Sequence, residues 1–117
     1  MTLVGSVPDR AQLLLRYRRL VDVELPVAAA TGRWSLRLNH CFARVLLDDA
    51  VGGCWYDALD RRAGPAYRQL DDDQLGGAVA LGERLLEQGE PLLVDLDAQS
   101  LRWRGKPPKP ARPQPRV

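Results

Sequence analysis

The 117-residue sequence has little of what enzymes and metal proteins usually need: one histidine (His40), two cysteines (Cys41 and Cys54), one phenylalanine and one methionine. One His and two Cys without paired spacing leave a structural zinc short of ligands, so no metal site is expected. His40 and Cys41 are neighbours, and on a helix adjacent side chains diverge by about 100°, so they do not face each other as a base and its nucleophile. Cys54 could be folded near His40, but nothing in the sequence requires it. Gly76-Gly77 lacks the Lys-Ser/Thr that would complete a phosphate loop. No apolar run approaches the roughly 20 residues of a membrane-spanning helix, and no apolar h-region follows a basic start. A cytoplasmic protein with free thiols, no membrane partner and no cofactor is the expectation.

Acidic residues are missing from the C-terminal end. All 15 lie at or before Asp97, whereas six of the 17 basic residues follow it, so residues 1–97 sum to 11 − 15 = −4 and the final stretch carries +6. A cationic tail on an acidic body suits nucleic acid or another anionic surface; a solubilising extension is the plainer reading. The composition, 45% apolar and 27% charged, is that of a globular domain rather than a disordered chain. A helical domain over 1–105 and a disordered basic Pro-rich tail over 106–117 are expected.

Strand alternation is also lacking, and helical periodicity takes its place. Ser6-Val7-Pro8-Asp9 reads as a helix start, with Ser6 as N-cap and Pro8 in the first turn. Leu13, Leu14, Tyr17, Leu20, Val21 and Leu25 follow at three- and four-residue steps. Pro26 should end or kink this helix because it removes a backbone donor, with Ala28-Ala29-Ala30 extending it briefly to Gly32. Asn39 can cap a second helix and Gly52-Gly53 can close it. Within it, His40, Arg44 and Asp48 share one flank of about 80°. Apart from Asp49, the other residues of 41–51 are apolar, which places this helix centrally. Helical turns at Trp55–Leu59 and Pro65–Leu70 precede an Asp71…Gln74 capping box and a helix ending at Gly89. Ala78 and Gly82 would let a neighbour approach closely. Pro91 opens the last helix, which ends at Gly105. The fold class predicted is all-α: a small four-helix-type bundle over about 9–25, 40–51, 72–88 and 91–104, joined by short helical turns.

Three groupings could carry function. His40, Arg44 and Asp48, four residues apart, reach one another along a helix. They form either a buried polar network whose members satisfy each other or an anion or base-edge contact through Arg44. Trp55 and Tyr56 after the glycine turn serve as a stacking platform or as a cover for the core. Arg102-Trp103-Arg104-Gly105-Lys106 interleaves bases with an aromatic, suiting phosphate contact plus stacking, or leaves the arginines solvated at a helix C-terminus. The contact residues expected from these clusters are Arg44, Trp55, Tyr67, Arg68, Trp103, Arg104 and Lys106, and no residue is assigned a catalytic role.

Asn39-His40-Cys41-Phe42, Arg44, Asp48, Gly53 with Trp55-Tyr56, Pro65-Ala66-Tyr67, Gln74-Leu75 and Ser100-Leu101 with Trp103-Arg104-Gly105-Lys106 together resemble a family of short uncharacterised bacterial proteins. The resemblance spans roughly residues 36–106. Members sometimes carry the label of a GCN5-related N-acetyltransferase, which would imply acyl transfer from acetyl-CoA. That fold needs a mixed sheet with a glycine-containing pyrophosphate loop between strand and helix, and strand signals are absent from this sequence. The function expected is therefore a small non-catalytic binding or accessory protein contacting nucleic acid or a protein partner. An acetyl-CoA enzyme is one alternative. A protein-interaction module using the Pro-x-x-Pro spacing of Pro107, Pro110 and Pro113 is another.

Overall fold

Asp9 sets the start of the first helix. Its extended backbone lets the side chain accept the Gln12 N–H at 2.8 Å, while Gln12 Oε1 accepts the Asp9 N–H at 3.0 Å, closing a reciprocal capping box. A computed structural model describes residues 9–106, with no strand among them. Ser6, the cap expected from the sequence, and the tail after Lys106 lie outside the described residues.

From Asp9 the chain runs without a break through α1 (Arg10–Arg19), a π-helical turn (Leu20–Glu24) and α2 (Leu25–Gly32). These form one rod, not a helix ending near residue 25. The stop predicted at Pro26 does not occur, because Pro26 sits in the first turn of α2 directly behind the π turn. There the Leu25 N–H bonds to Leu20 O. The pattern of acceptors has already shifted by one residue, so the donor that proline lacks falls where the ladder changes anyway. Arg33, left-handed at φ 55°, ends the rod.

The rod turns into α3 (Asn39–Val51). Leu38, not Asn39, holds the extended N-cap position; the Asn39 side chain accepts the next amide, that of His40, at 2.9 Å. At the other end Gly52 is left-handed (φ 72°, ψ 33°), and the Gly52 and Gly53 N–H groups return to Asp48 O at 2.9 and 3.1 Å, as a glycine C-cap should. A short α4 (Trp55–Ala58) and a 3₁₀ turn (Ala66–Gln69) lead to α5 (Asp72–Gln88), which the Asp71–Gln74 box caps as read from the sequence. Gly89, at φ 74°, joins it to α6 (Glu90–Trp103).

Packing follows the apolar faces. α3 and α5 each touch both the rod and α6, which completes the four-helix arrangement with α4 and the 3₁₀ turn as connectors. Phe42, Leu46, Leu20, Leu75, Leu85 and Leu93 are fully buried in one core. A Cβ on Gly82 would lie 3.0 Å from Leu20 Cδ1 and 3.6 Å from Leu46 Cδ1, so glycine is what brings α5 onto both neighbours. Removing a cap should weaken the bundle without disturbing this packing. Asp71→Ala is expected to cost about 1 kcal/mol, read as a lower urea midpoint at unchanged m-value.

Candidate functional site

The π turn, the start of α3 and the segment around the 3₁₀ turn leave an open groove of about 340 Å³ between them. Its walls are aromatic and aliphatic: Tyr17 and Val21 from the rod, Ala43 and Leu47 from α3, with Trp55, Ala66 and Tyr67 opposite. The Tyr17 and Tyr67 rings stack at 4.9 Å with 10° between planes, an arrangement aromatic pairs favour when offset. The rim is polar. Arg18 Nε donates to Asp22 Oδ2 at 2.8 Å, Arg18 Nη1 donates to Tyr67 Oη at 3.2 Å, and Asn39 Nδ2 donates to Asp22 Oδ1 at 3.3 Å. His40 stands exposed at the same rim, and its imidazole has no hydrogen-bond partner among the described residues.

The stacked phenols are electrostatically unequal. Burial pushes Tyr17 above the usual tyrosine range, with the Asp22 charge and Tyr67 adding to it. Burial also acts upward on Tyr67, but hydrogen bonds from Arg18 and Arg68 outweigh it and hold that phenol below the usual range. Each group shifts in the sense its surroundings dictate for the charged form. On raising the pH, Tyr67 is therefore expected to ionise before Tyr17. The phenolate absorbance should rise in separated steps, with Tyr67→Phe deleting the early one and Tyr17→Phe the late one.

A second constellation lies between α3 and α6. Asp48, fully buried, receives four donors: Arg104 Nε at 2.9 Å and the Ser100 hydroxyl on Oδ2, and Arg104 Nη2 at 3.0 Å and the Trp55 N–H at 2.9 Å on Oδ1. One turn earlier, Arg44 donates to Ser100 Oγ at 2.7 Å and to Asp97 Oδ1. The bidentate contact to Asp48 holds Arg104 even more firmly protonated than an ordinary arginine, against the opposing effect of burial. Among the described residues, no buried side-chain nitrogen or oxygen lacks a hydrogen-bond partner. This is a structural clamp, built so that each buried charge meets its complement.

These positions change the grouping read from the sequence. Ser100 links Arg44 to Asp48, while His40 lies apart from both at the groove rim. Arg104, which the sequence leaves solvated or facing a phosphate, is turned inward onto Asp48, and Arg44 onto Asp97 and Ser100. Their guanidinium groups are thus not presented as an outward contact surface. Trp55 and Tyr67 meet in the groove. Arg68 is exposed with its guanidinium carbon 5.7 Å from the Tyr67 ring centre, Trp103 is half-buried and Lys106 exposed. Sequence reading missed Asp97 altogether. The signal was available: Asp97, Ser100 and Arg104 recur at three- and four-residue steps along α6 and its C-cap, matching the Arg44–Asp48 step on α3.

Among the described residues, no cluster of His, Cys, Asp or Glu is placed to hold a metal ion, and no helix is long and apolar enough to cross a membrane. Set against known proteins, the chain matches no family model, no curated protein and no solved structure, so its site is read from its own geometry.

Proposed function

We propose that this chain is a small non-catalytic binding protein that seats a segment of a partner protein in the groove beside the π turn. The observation that carries this reading is the convergence of Trp55, Tyr67 and the exposed His40 on one open, aromatic-walled groove. Its volume of about 340 Å³ lies at the lower end of natural binding sites, enough for one or two apolar side chains of an extended peptide. Aromatic walls supply contact area at low entropic cost, and the rim supplies donors and acceptors for the peptide backbone.

Charge favours a protein over nucleic acid. Residues 9–106 hold 14 basic and 15 acidic residues, 14 − 15 = −1. Arg10, Arg16, Arg18 and Arg19 are paired with Asp72, Glu24, Asp22 and Glu24. Binding to phosphates draws on an excess of exposed cations, and here the exposed Arg37, Arg61, Arg62, Arg68, Arg84, Arg102 and Lys106 are offset by at least as many acids over the same residues. The acetyl-CoA alternative rests on the family resemblance, and the sheet that such a fold requires has no counterpart among the described residues. The setting we propose is the bacterial cytoplasm.

His40 is the only histidine, so its imidazole signals in an NMR spectrum watch the groove alone. Peptides selected from a displayed library on the full chain are expected to shift those signals. Trp55→Ala should weaken their binding by about tenfold or more, as for a buried aromatic anchor. Peptides that bind Trp55→Ala equally well and leave His40 unmoved would overturn the reading, as would tight, steeply salt-dependent binding of an oligonucleotide in their place.

A further inference from the structure

One face of the Tyr67 ring is taken by Tyr17, 4.9 Å away. The guanidinium carbons of Arg18 and Arg68 each lie 5.7 Å from the centre of the same ring, within the range at which an aromatic ring attracts a cation. The two arginines differ in what else holds them. Arg18 Nε donates to Asp22 Oδ2, and Asp22 Oδ1 accepts from Asn39, so that carboxylate and its arginine answer each other within the chain. Arg68 is exposed, lies against Tyr67 and forms no ion pair among the described residues. This end of the groove is left with one cation that no carboxylate meets.

We infer that the partner segment seated in the groove is acidic, and that an Asp or Glu two residues from its apolar anchor pairs with Arg68. This rests on the groove being a peptide site and names the chemistry of the peptide. The sign follows from the rim. A basic segment would find only Asp22, whose two oxygens already accept from Arg18 and Asn39, whereas an acidic one finds Arg68 open to solvent. Charge complementarity of this kind selects partners more than it adds affinity. The spacing follows from extended backbone, which rises about 3.3 Å per residue and alternates sides. The second neighbour of the anchor therefore points the same way, about 7 Å along. That compares with the 5.7 Å between the Tyr67 ring, against which the anchor would lie, and the Arg68 guanidinium. A guanidinium can rest on a ring by its face and donate from its edge, so the incoming carboxylate need not displace Arg68 from Tyr67.

A displayed peptide library selected on the full chain tests this. Peptides that bind Trp55→Ala more weakly are groove binders, and Asp or Glu should be enriched two residues from their shared apolar position. In synthetic copies of the tightest binder, exchanging that acid for Gln should weaken binding about threefold, the scale of an exposed ion pair, and exchanging it for Lys should weaken it further. Arg68→Glu should reverse the order, so that the Lys copy binds best. Arg68→Gln, should the reversal misfold, should bring the acidic and Lys copies level. Groove binders without an acidic preference, or a preference that neither Arg68 variant alters, would overturn the inference while leaving the groove a peptide site. A selection that yields no peptide sensitive to Trp55→Ala would overturn both.

Discussion

Asp48→Ala is expected to cost about 3–5 kcal/mol, the usual penalty for removing one partner of a buried ion pair. Four donors converge on that carboxylate, and its loss strands the Arg104 guanidinium, the Ser100 hydroxyl and the Trp55 amide where water hardly reaches. The cost of such stranded groups exceeds the value of the bonds themselves. For a domain with about 5–15 kcal/mol in total, the variant should be partly unfolded at room temperature, as followed by urea titration of the helical signal. Two controls distinguish the clamp from mere packing. Arg104→Met alone should be nearly as damaging, because it leaves Asp48 charged and buried. Asp48→Leu combined with Arg104→Met should recover much of the loss, since an apolar pair of similar volume needs no solvation. High salt should leave the wild-type clamp almost untouched, because buried pairs are poorly screened.

Phe42→Ala is the second large effect, with an expected loss of about 3–5 kcal/mol. Phe42 is fully buried and meets Trp34 edge-to-face at 6.2 Å with 73° between the rings. It sits where α3 crosses the core, with little freedom for neighbours to collapse into the space left behind. Phe42→Leu, which refills most of the volume, should lose considerably less. Val94→Ala, at a position 49% exposed, should stay within about 0.5 kcal/mol of the parent. Urea midpoints of the three variants give the ordering directly.

Much of the bundle could be read from the sequence because its signals are local. The Asp71–Gln74 box, the glycine closure at Gly52 and the apolar run of α3 each need only their own neighbours. Asp9 and Gln12 repeat the same box, yet Ser6-Val7-Pro8 offered a competing start. The rod was not legible at Pro26, because a proline rule assumes an α-helical ladder and a π turn changes which carbonyl would be bereft. Arg44 and Asp48 were recognisable as a polar edge, but their partners Asp97, Ser100 and Arg104 lie more than 50 residues away in the chain. His40 was drawn into that edge because each four-residue step drifts by only about 40°. Two such steps suffice to carry its ring out of reach of α6 and into the groove. The groove itself depends on three segments meeting, which periodicity cannot announce.

The π turn also divides the longest helix into two units that can open separately. Up to its first residue, Tyr17 and Leu20 are pinned beneath Tyr67 and α5; behind it, Leu25 and Ala29 anchor a segment whose second residue has no amide to exchange. Deuterium should therefore enter the amides of Val27–Gly32 sooner than those of Leu14–Leu20, since local openings follow such seams. A peptide lodged against Val21 and Asp22 bridges the seam, and its arrival would be felt as slower deuterium uptake on the far side.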